Sequence, residues 1–422
     1  MKKVLFFFLI TCSISFGQVN FDDYFINRTL RFDFYHTGNK QSEVISFDKL
    51  VEEGPWSGSK KNLIDTFYFG NYYLKVFDDS TDSLIYSRGF FTLYQEWQTT
   101  EEAKTITRTF PGSVLMPFPK QKIKVDIYRR NKMNNFEKKF EYVVNPDDYF
   151  IITEKIKPSP NFKVHYRGDP NDKLDIVFIP EGYTLEEMPK FKSDCNRLAG
   201  YFFEYSPFKE NEDKINIWGV EAPSLESGTD IPGKNIWKET LLNTRFYTFN
   251  SERYLMTTDY FSVRDVAANA PYDQIYIIVN TSKYGGGSIY NFYSETAVDN
   301  KVTKQILVHE FGHGFAGFAD EYADDTTYQD YYPTDVEPWE ANITTLVDFD
   351  SKWKNLVDKD TPIPTPKEDK YKNKIGAFEG GGYVSKGVYR PTINSIMNSF
   401  SSNEFNQVCK DLLQKLIDFY SE

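Results

Sequence analysis

The chain has 422 residues, enough for two domains with separate hydrophobic cores. Its formal net charge of −12 argues against nucleic acid and anionic membrane as partners. Aromatic residues make up 17% of the chain, with 30 Tyr and 37 Phe, a composition suited to β-rich cores.

The opening stretch MKKVLFFFLITCSISFGQ sets two lysines before an apolar run from Val4 to Ile10, then small residues up to Gly17. That pattern predicts an export signal over 1–17, too short to span a membrane and removed from the mature chain. Cys12, after Leu9-Ile10-Thr11, is the alternative, a poor lipid-attachment site that would make a surface tether. The mature protein is expected to be exported (periplasmic, cell-surface or extracellular), with no transmembrane segment in the apolar pattern. Cys195 and Cys409 alone remain after processing, so no disulfide framework is expected.

Residues 20–153 alternate with period two, as in TLRFDFYHTG (29–38), TFYFGNYYLKVFDD (66–79), SLIYSRGFFTLYQEW (83–97), QKIKVDIYRR (121–130) and FEKKFEYVV (136–144). Broken by Gly, Asn and Asp turns, this predicts an antiparallel β-sandwich. No ligand cluster stands out in it, so its expected role is substrate capture rather than chemistry. EKIKPSPNF (154–162) reads as a linker. From 163 to 422 the pattern changes to strands alternating with helices on a mixed sheet. KLDIVFIPEGY (173–183), INIWGVEAP (215–223) and QIYIIVN (274–280) are strands, and 185–205 is a helix. Gly285-Gly286-Gly287 reads as a turn beside an edge strand able to align a peptide, or equally as a loop tip. The acidic stretch 320–332 lacks a calcium-loop pattern and reads as a solvated loop. An amphipathic helix at 403–422 closes the chain, burying Phe405, Val408, Leu412, Leu413 and Ile417.

The chemistry concentrates at His309-Glu310-Phe311-Gly312-His313, which uses half of the four histidines. On a helix, residues i and i+4 share a face, so both imidazoles reach one metal ion with Glu310 beside them. Leu307, Phe311 and Phe315 form a stripe on the other side, where the helix packs inward. A catalytic zinc takes three protein ligands and leaves one position for water. His36 and His165 lie far upstream, so a carboxylate is expected as the third ligand. Asp320 is preferred, with Glu321 its immediate rival and Glu337 or Glu340 more distant ones. Ser395-Ile396-Met397-Asn398 has the composition and place of the methionine turn that lies beneath the metal in metzincin proteases. Glu310 is the expected general base; Tyr322, Tyr383 and Tyr389 stand near the motifs, but the sequence does not identify the oxyanion donors.

Five stretches together resemble a known family: DIVFIPEGYT (175–184), ESGTDIP (226–232), HEFGHGFAGFADEY (309–322), GAFEGGGY (376–383) and YRPTINSIMN (389–398). The chain is similar to the IgA peptidase family of bacterial metalloendopeptidases, a metzincin-like group. The resemblance implies an α+β multidomain protein, with a β-sandwich followed by a zinc protease domain built on a mixed sheet and a zinc-binding helix. It implies one catalytic Zn2+ on His309, His313 and Asp320, Glu310 as base, Met397 in the turn, and a protein or peptide substrate. The spacing departs from the common metzincin motif, because Ala316 stands where that motif has glycine and Gly317 follows one place later. The other readings are an exported glycan- or protein-binding module with a non-proteolytic zinc domain, and a zinc hydrolase acting on a different bond.

Overall fold

The computed structural model describes residues 19–154, 157–323 and 332–422. The expected export signal at 1–17, Cys12 within it, and most of the acidic stretch 320–332 lie outside these. The amino-terminal part runs α1 (Phe21–Tyr24), β1 (Phe25–Gly38), β2 (Glu43–Glu52), β3 (Tyr72–Asp78), β4 (Leu84–Phe90), α2 (Leu93–Trp97), β5 (Arg108–Pro119), β6 (Ile123–Arg130) and β7 (Phe136–Val144). These strands form two antiparallel sheets, β2-β1-β5 and β4-β3-β6-β7. Phe32 and Phe34 of one sheet and Leu74, Val76, Val125 and Ile127 of the other fill a common core. Strand β5 carries Pro111, Pro117 and Pro119, which only an edge strand accommodates.

The stretch 83–97, expected as one strand, divides after Phe90. Thr92 caps a helix by accepting from Gln95 N, and Tyr94 and Trp97, three residues apart, bury the same side.

The remainder runs β8 (Asn161–His165), β9 (Leu174–Glu181), α3 (Met188–Phe202), β10 (Ile215–Val220), α4 (Tyr260–Ala267), β11 (Gln274–Val279), β12 (Gly286–Ile289), β13 (Tyr293–Ala297), α5 (Thr303–Ala316), β14 (Phe378–Gly381), β15 (Val384–Arg390) and α6 (Gln407–Ser421). Strand β8 begins inside the stretch expected as a linker. A six-stranded sheet has the order β12-β13-β11-β9-β10-β8, parallel in the middle and antiparallel at both edges. Its central strands are apolar on both faces because both are covered. Leu174, Ile176 and Phe178 of β9 join one core with α3, α5 and α6, whereas Val177 and Ile179 join a second with α4. Leu307, Phe311 and Phe315 lie in the first of these cores, the packing that their spacing predicted. The protein is thus a two-domain α+β molecule.

The two parts meet through buried polar contacts. Arg31, 1% exposed, donates to Asp33 Oδ2 (3.0 Å), Glu53 Oε1 (3.2 Å) and Asp265 Oδ1 (2.8 Å). Tyr272 OH donates to Glu53 Oε2 at 2.9 Å. The last helix also reaches the first domain: Asn62 Nδ2 donates to Phe419 O at 2.9 Å, and the Arg88 guanidinium sits 4.7 Å above the Phe419 ring. Cys195 and Cys409 are both buried free thiols. Among the described residues no helix is long and apolar enough to cross a membrane.

Candidate active site

Helix α5 presents His309, Glu310 and His313 on one face while its apolar stripe anchors the other. Each imidazole is oriented through Nδ1, His309 to Ile396 O at 3.0 Å and His313 to Phe318 O at 2.6 Å. A carbonyl accepts only, so Nδ1 is the donor in each ring and Nε2 is the nitrogen turned toward the site. The two Nε2 atoms lie 3.1 Å apart. Asp320 Oδ1 is 3.2 Å from Nε2 of His309 and 3.5 Å from that of His313, yet no donor satisfies it. Tyr383 OH donates to the other carboxylate oxygen, Oδ2, which fixes the orientation of Asp320. Nε2 of both rings and Oδ1 of Asp320 converge on one point, an arrangement that a proton on Nε2 or a bound cation relieves. The His-His-Asp set is a possible metal site.

The local charges respond accordingly. Burial pulls the Asp320 carboxyl upward, but the two imidazoles outweigh it and hold it well below the usual carboxylate range. Burial lowers the basicity of His313, but Asp320 and Glu310 reverse this and push its pKa up to about 9 in the metal-free protein. Burial raises Glu310, offset in part by His309 and His313.

The reversal after α5 brings Asp320 back to the histidines. Gly317 ends the helix with φ +62 and ψ 30, and Phe318 N–H reaches back to Gly312 O at 3.2 Å. A Cβ at Gly317 would also sit 2.7 Å from the Trp339 ring. Gly317→Ala is expected to cost about 1–2 kcal/mol in stability from the left-handed backbone alone. The displaced turn should also weaken metal binding. Denaturant unfolding and metal titration check this, and wild-type values in both would remove Gly317 from this role.

Asp320 and Glu321 point to different places. Glu321 is wholly buried on the far side, accepting from Ser395 Oγ (2.6 Å), Asn342 Nδ2 (3.1 Å) and Asn406 Nδ2 (2.8 Å). Glu337 serves Thr345 and Asp348, and Glu340 accepts from Tyr332 OH at 3.0 Å, neither joining the histidines. Met397, fully buried, would meet a Cβ placed on Gly312 at 3.0 Å, so its sulfur lies directly against α5. Its carbonyl accepts from Glu321 N at 2.8 Å. Tyr322 packs edge-on to Tyr383, ring centroids 5.4 Å apart, and both line the cleft. Tyr389 does not line the cleft: it pairs with Thr344 and packs against the cluster of Phe349 and Trp353. His36 is sealed inside the first domain and His165 lies on β8.

The site opens into a cleft of about 710 Å³. Ser288 Oγ, on β12, donates to Glu310 O at 2.6 Å and lies 3.3 Å from Glu310 Oε2. Strand β12 is the edge strand itself rather than a turn beside it, and its outer side is partly covered, since Leu255 N donates to Gly286 O at 3.3 Å. Arg253, whose guanidinium donates to Tyr322 OH at 3.3 Å, lines the cleft too. Phe91 and Glu96 line it from the first domain. Sequence reasoning missed Glu96, Arg253 and Ser288. Each is an isolated polar residue brought in by tertiary contacts, with no local spacing to mark it.

No curated protein matches the chain. The family described as IgA Peptidase M64 matches residues 162–373 and 367–417, and its companion, Peptidase M64 N-terminus, matches residues 20–141. The first match takes in the α5 histidines, Glu310, Asp320 and Met397, and the two matches together leave little of the chain uncovered. The chain belongs to the IgA peptidase M64 family, and is a peptidase by that membership.

Proposed function

We propose that the protein is an exported, zinc-dependent endopeptidase with a metzincin-like catalytic domain. The observation that carries this reading is the convergence of three ligand atoms, Nε2 of His309, Nε2 of His313 and Oδ1 of Asp320, at 3.1, 3.2 and 3.5 Å from one another. Zinc bonds of about 2.0–2.2 Å in a tetrahedron separate ligand atoms by about 3.3–3.6 Å, so the spacing suits that ion. His309 and His313 would hold it through Nε2 and Asp320 through Oδ1, the carbonyls of Ile396 and Phe318 and the Tyr383 hydroxyl keeping all three aimed. The mixed sheet, the helix lying against it and the methionine beneath are what a metzincin-like assignment rests on.

When bound, zinc would polarise a peptide carbonyl and lower the pKa of a water toward about 7. Glu310 supplies the base: its carboxylate takes the water's proton and returns it to the leaving amine nitrogen. Burial raises the affinity of that carboxylate for a proton, which suits a group that must accept one and release it. Ser288 and Ser294 hold the Glu310 backbone carbonyl at 2.6 and 3.1 Å, fixing this stretch of α5 against β12 and β13.

The reading is tested on the purified full chain. It should carry about one zinc, cut an unstructured protein at internal bonds, lose both metal and activity to a chelator, and regain both with zinc. Cleavage that persists with all metal removed, or failure to retain zinc at neutral pH, would overturn it.

A further inference from the structure

The first domain contributes one carboxylate to the cleft that the mechanism does not use. Glu96 sits on α2, held by wholly buried Tyr94 and Trp97, and lines the same cleft as His309, Glu310 and His313. Tyr254 OH donates to its Oε2 at 2.6 Å. Among the described residues no donor reaches Oε1, and no lysine or arginine pairs with the group. Burial pushes its pKa up to about 7; Tyr254 and His313 lower it and Glu310 raises it. A half-buried carboxylate left without a cation is costly, and an incoming cation recovers that cost. Glu340, the other spare carboxylate in the cleft wall, already has Lys352 and Arg130 near it. Phe91, Tyr254 and Tyr290 line the cleft as well, and aromatic faces favour a cation.

We propose that Glu96 is a specificity-determining residue that accepts a cationic nitrogen of the peptide substrate, in a subsite the amino-terminal domain builds into the catalytic cleft. The inference rests on the peptidase reading. The nitrogen comes from a lysine or arginine side chain or from a free peptide N-terminus, two sources with the same chemistry.

The test uses zinc-loaded full chain and matched peptides. One arm compares N-acetylated peptides with lysine or norleucine at successive positions around the cleaved bond; the other compares free with acetylated N-termini. Wild type should favour the cationic member of one arm by about 10- to 100-fold in kcat/KM, the scale of a charge-assisted hydrogen bond. The ratio should fall to near unity in Glu96→Gln and be intermediate in Glu96→Asp, while Glu96→Lys should favour a glutamate peptide. A wild-type ratio near unity in both arms, or a ratio unchanged in Glu96→Gln, would overturn the assignment. If the wild type cleaves no peptide of either arm, the peptidase reading is what fails. Fluorescence anisotropy on the same pairs, wild type against Glu96→Gln, then decides the role of Glu96 by binding alone. The arm that responds identifies the source of the nitrogen.

Discussion

Glu310→Gln is expected to lower kcat/KM by about 10²- to 10⁴-fold, the range for loss of a positioned general base, while leaving metal content and fold intact. Glutamine has nearly the same shape, so the Ser288 contact at Oε2 and the backbone contacts to Ser288 and Ser294 persist. The proposed metal set is untouched, because its three atoms belong to His309, His313 and Asp320. What disappears is the lone pair that takes a proton. Metal analysis and steady-state kinetics on the same sample separate these effects. Turnover within tenfold of wild type would exclude Glu310 as base, and loss of metal would mean that it takes part in binding.

The neighbouring carboxylates should give opposite results. Asp320→Ala is expected to weaken zinc by about a hundredfold or more, one ligand's share of a site worth about 10–16 kcal/mol, with the fold retained. Glu321→Ala should keep the metal set in place in whatever fraction folds, yet cost about 3–5 kcal/mol of stability. Three buried donors, on Ser395, Asn342 and Asn406, lose their acceptor at once. Ser395 starts the turn that holds Met397, and Asn406 caps α6, so that loss loosens the floor of the site and the last helix together. Zinc titration and denaturant unfolding of both variants test the pair. A Glu321→Ala protein that folds normally but loses zinc would move the ligand by one residue.

The helical spacing of His309 and His313 was readable because one regular element sets it, and so was the inward stripe of Leu307, Phe311 and Phe315. The alternation of β1, β6 and β7 and the apolar runs of β9, β10 and β11 were readable for the same reason. Asp320 and Glu321 could not be separated by spacing, since adjacent residues after a left-handed turn differ only in the direction the turn sends them. In the structure the turn at Gly317 sends Asp320 toward the histidines and Glu321 toward Ser395, Asn342 and Asn406. Strand β5 hid behind its prolines and α2 behind an apparent continuation of β4. Glu96 lies more than two hundred residues before His309, and nothing in the intervening pattern announces their meeting.

The tie between Asn62 and Phe419 joins residues 357 positions apart. A ribosome building this chain completes the first domain long before the helix that covers its 62–88 surface exists. The Asn62 amide and the face of Arg88 turned to Phe419 must wait, hydrated, until that helix has been made. Contacts of such separation form late, after the largest loop-closure cost, so docking of a preformed first domain onto the second should be a late step of folding.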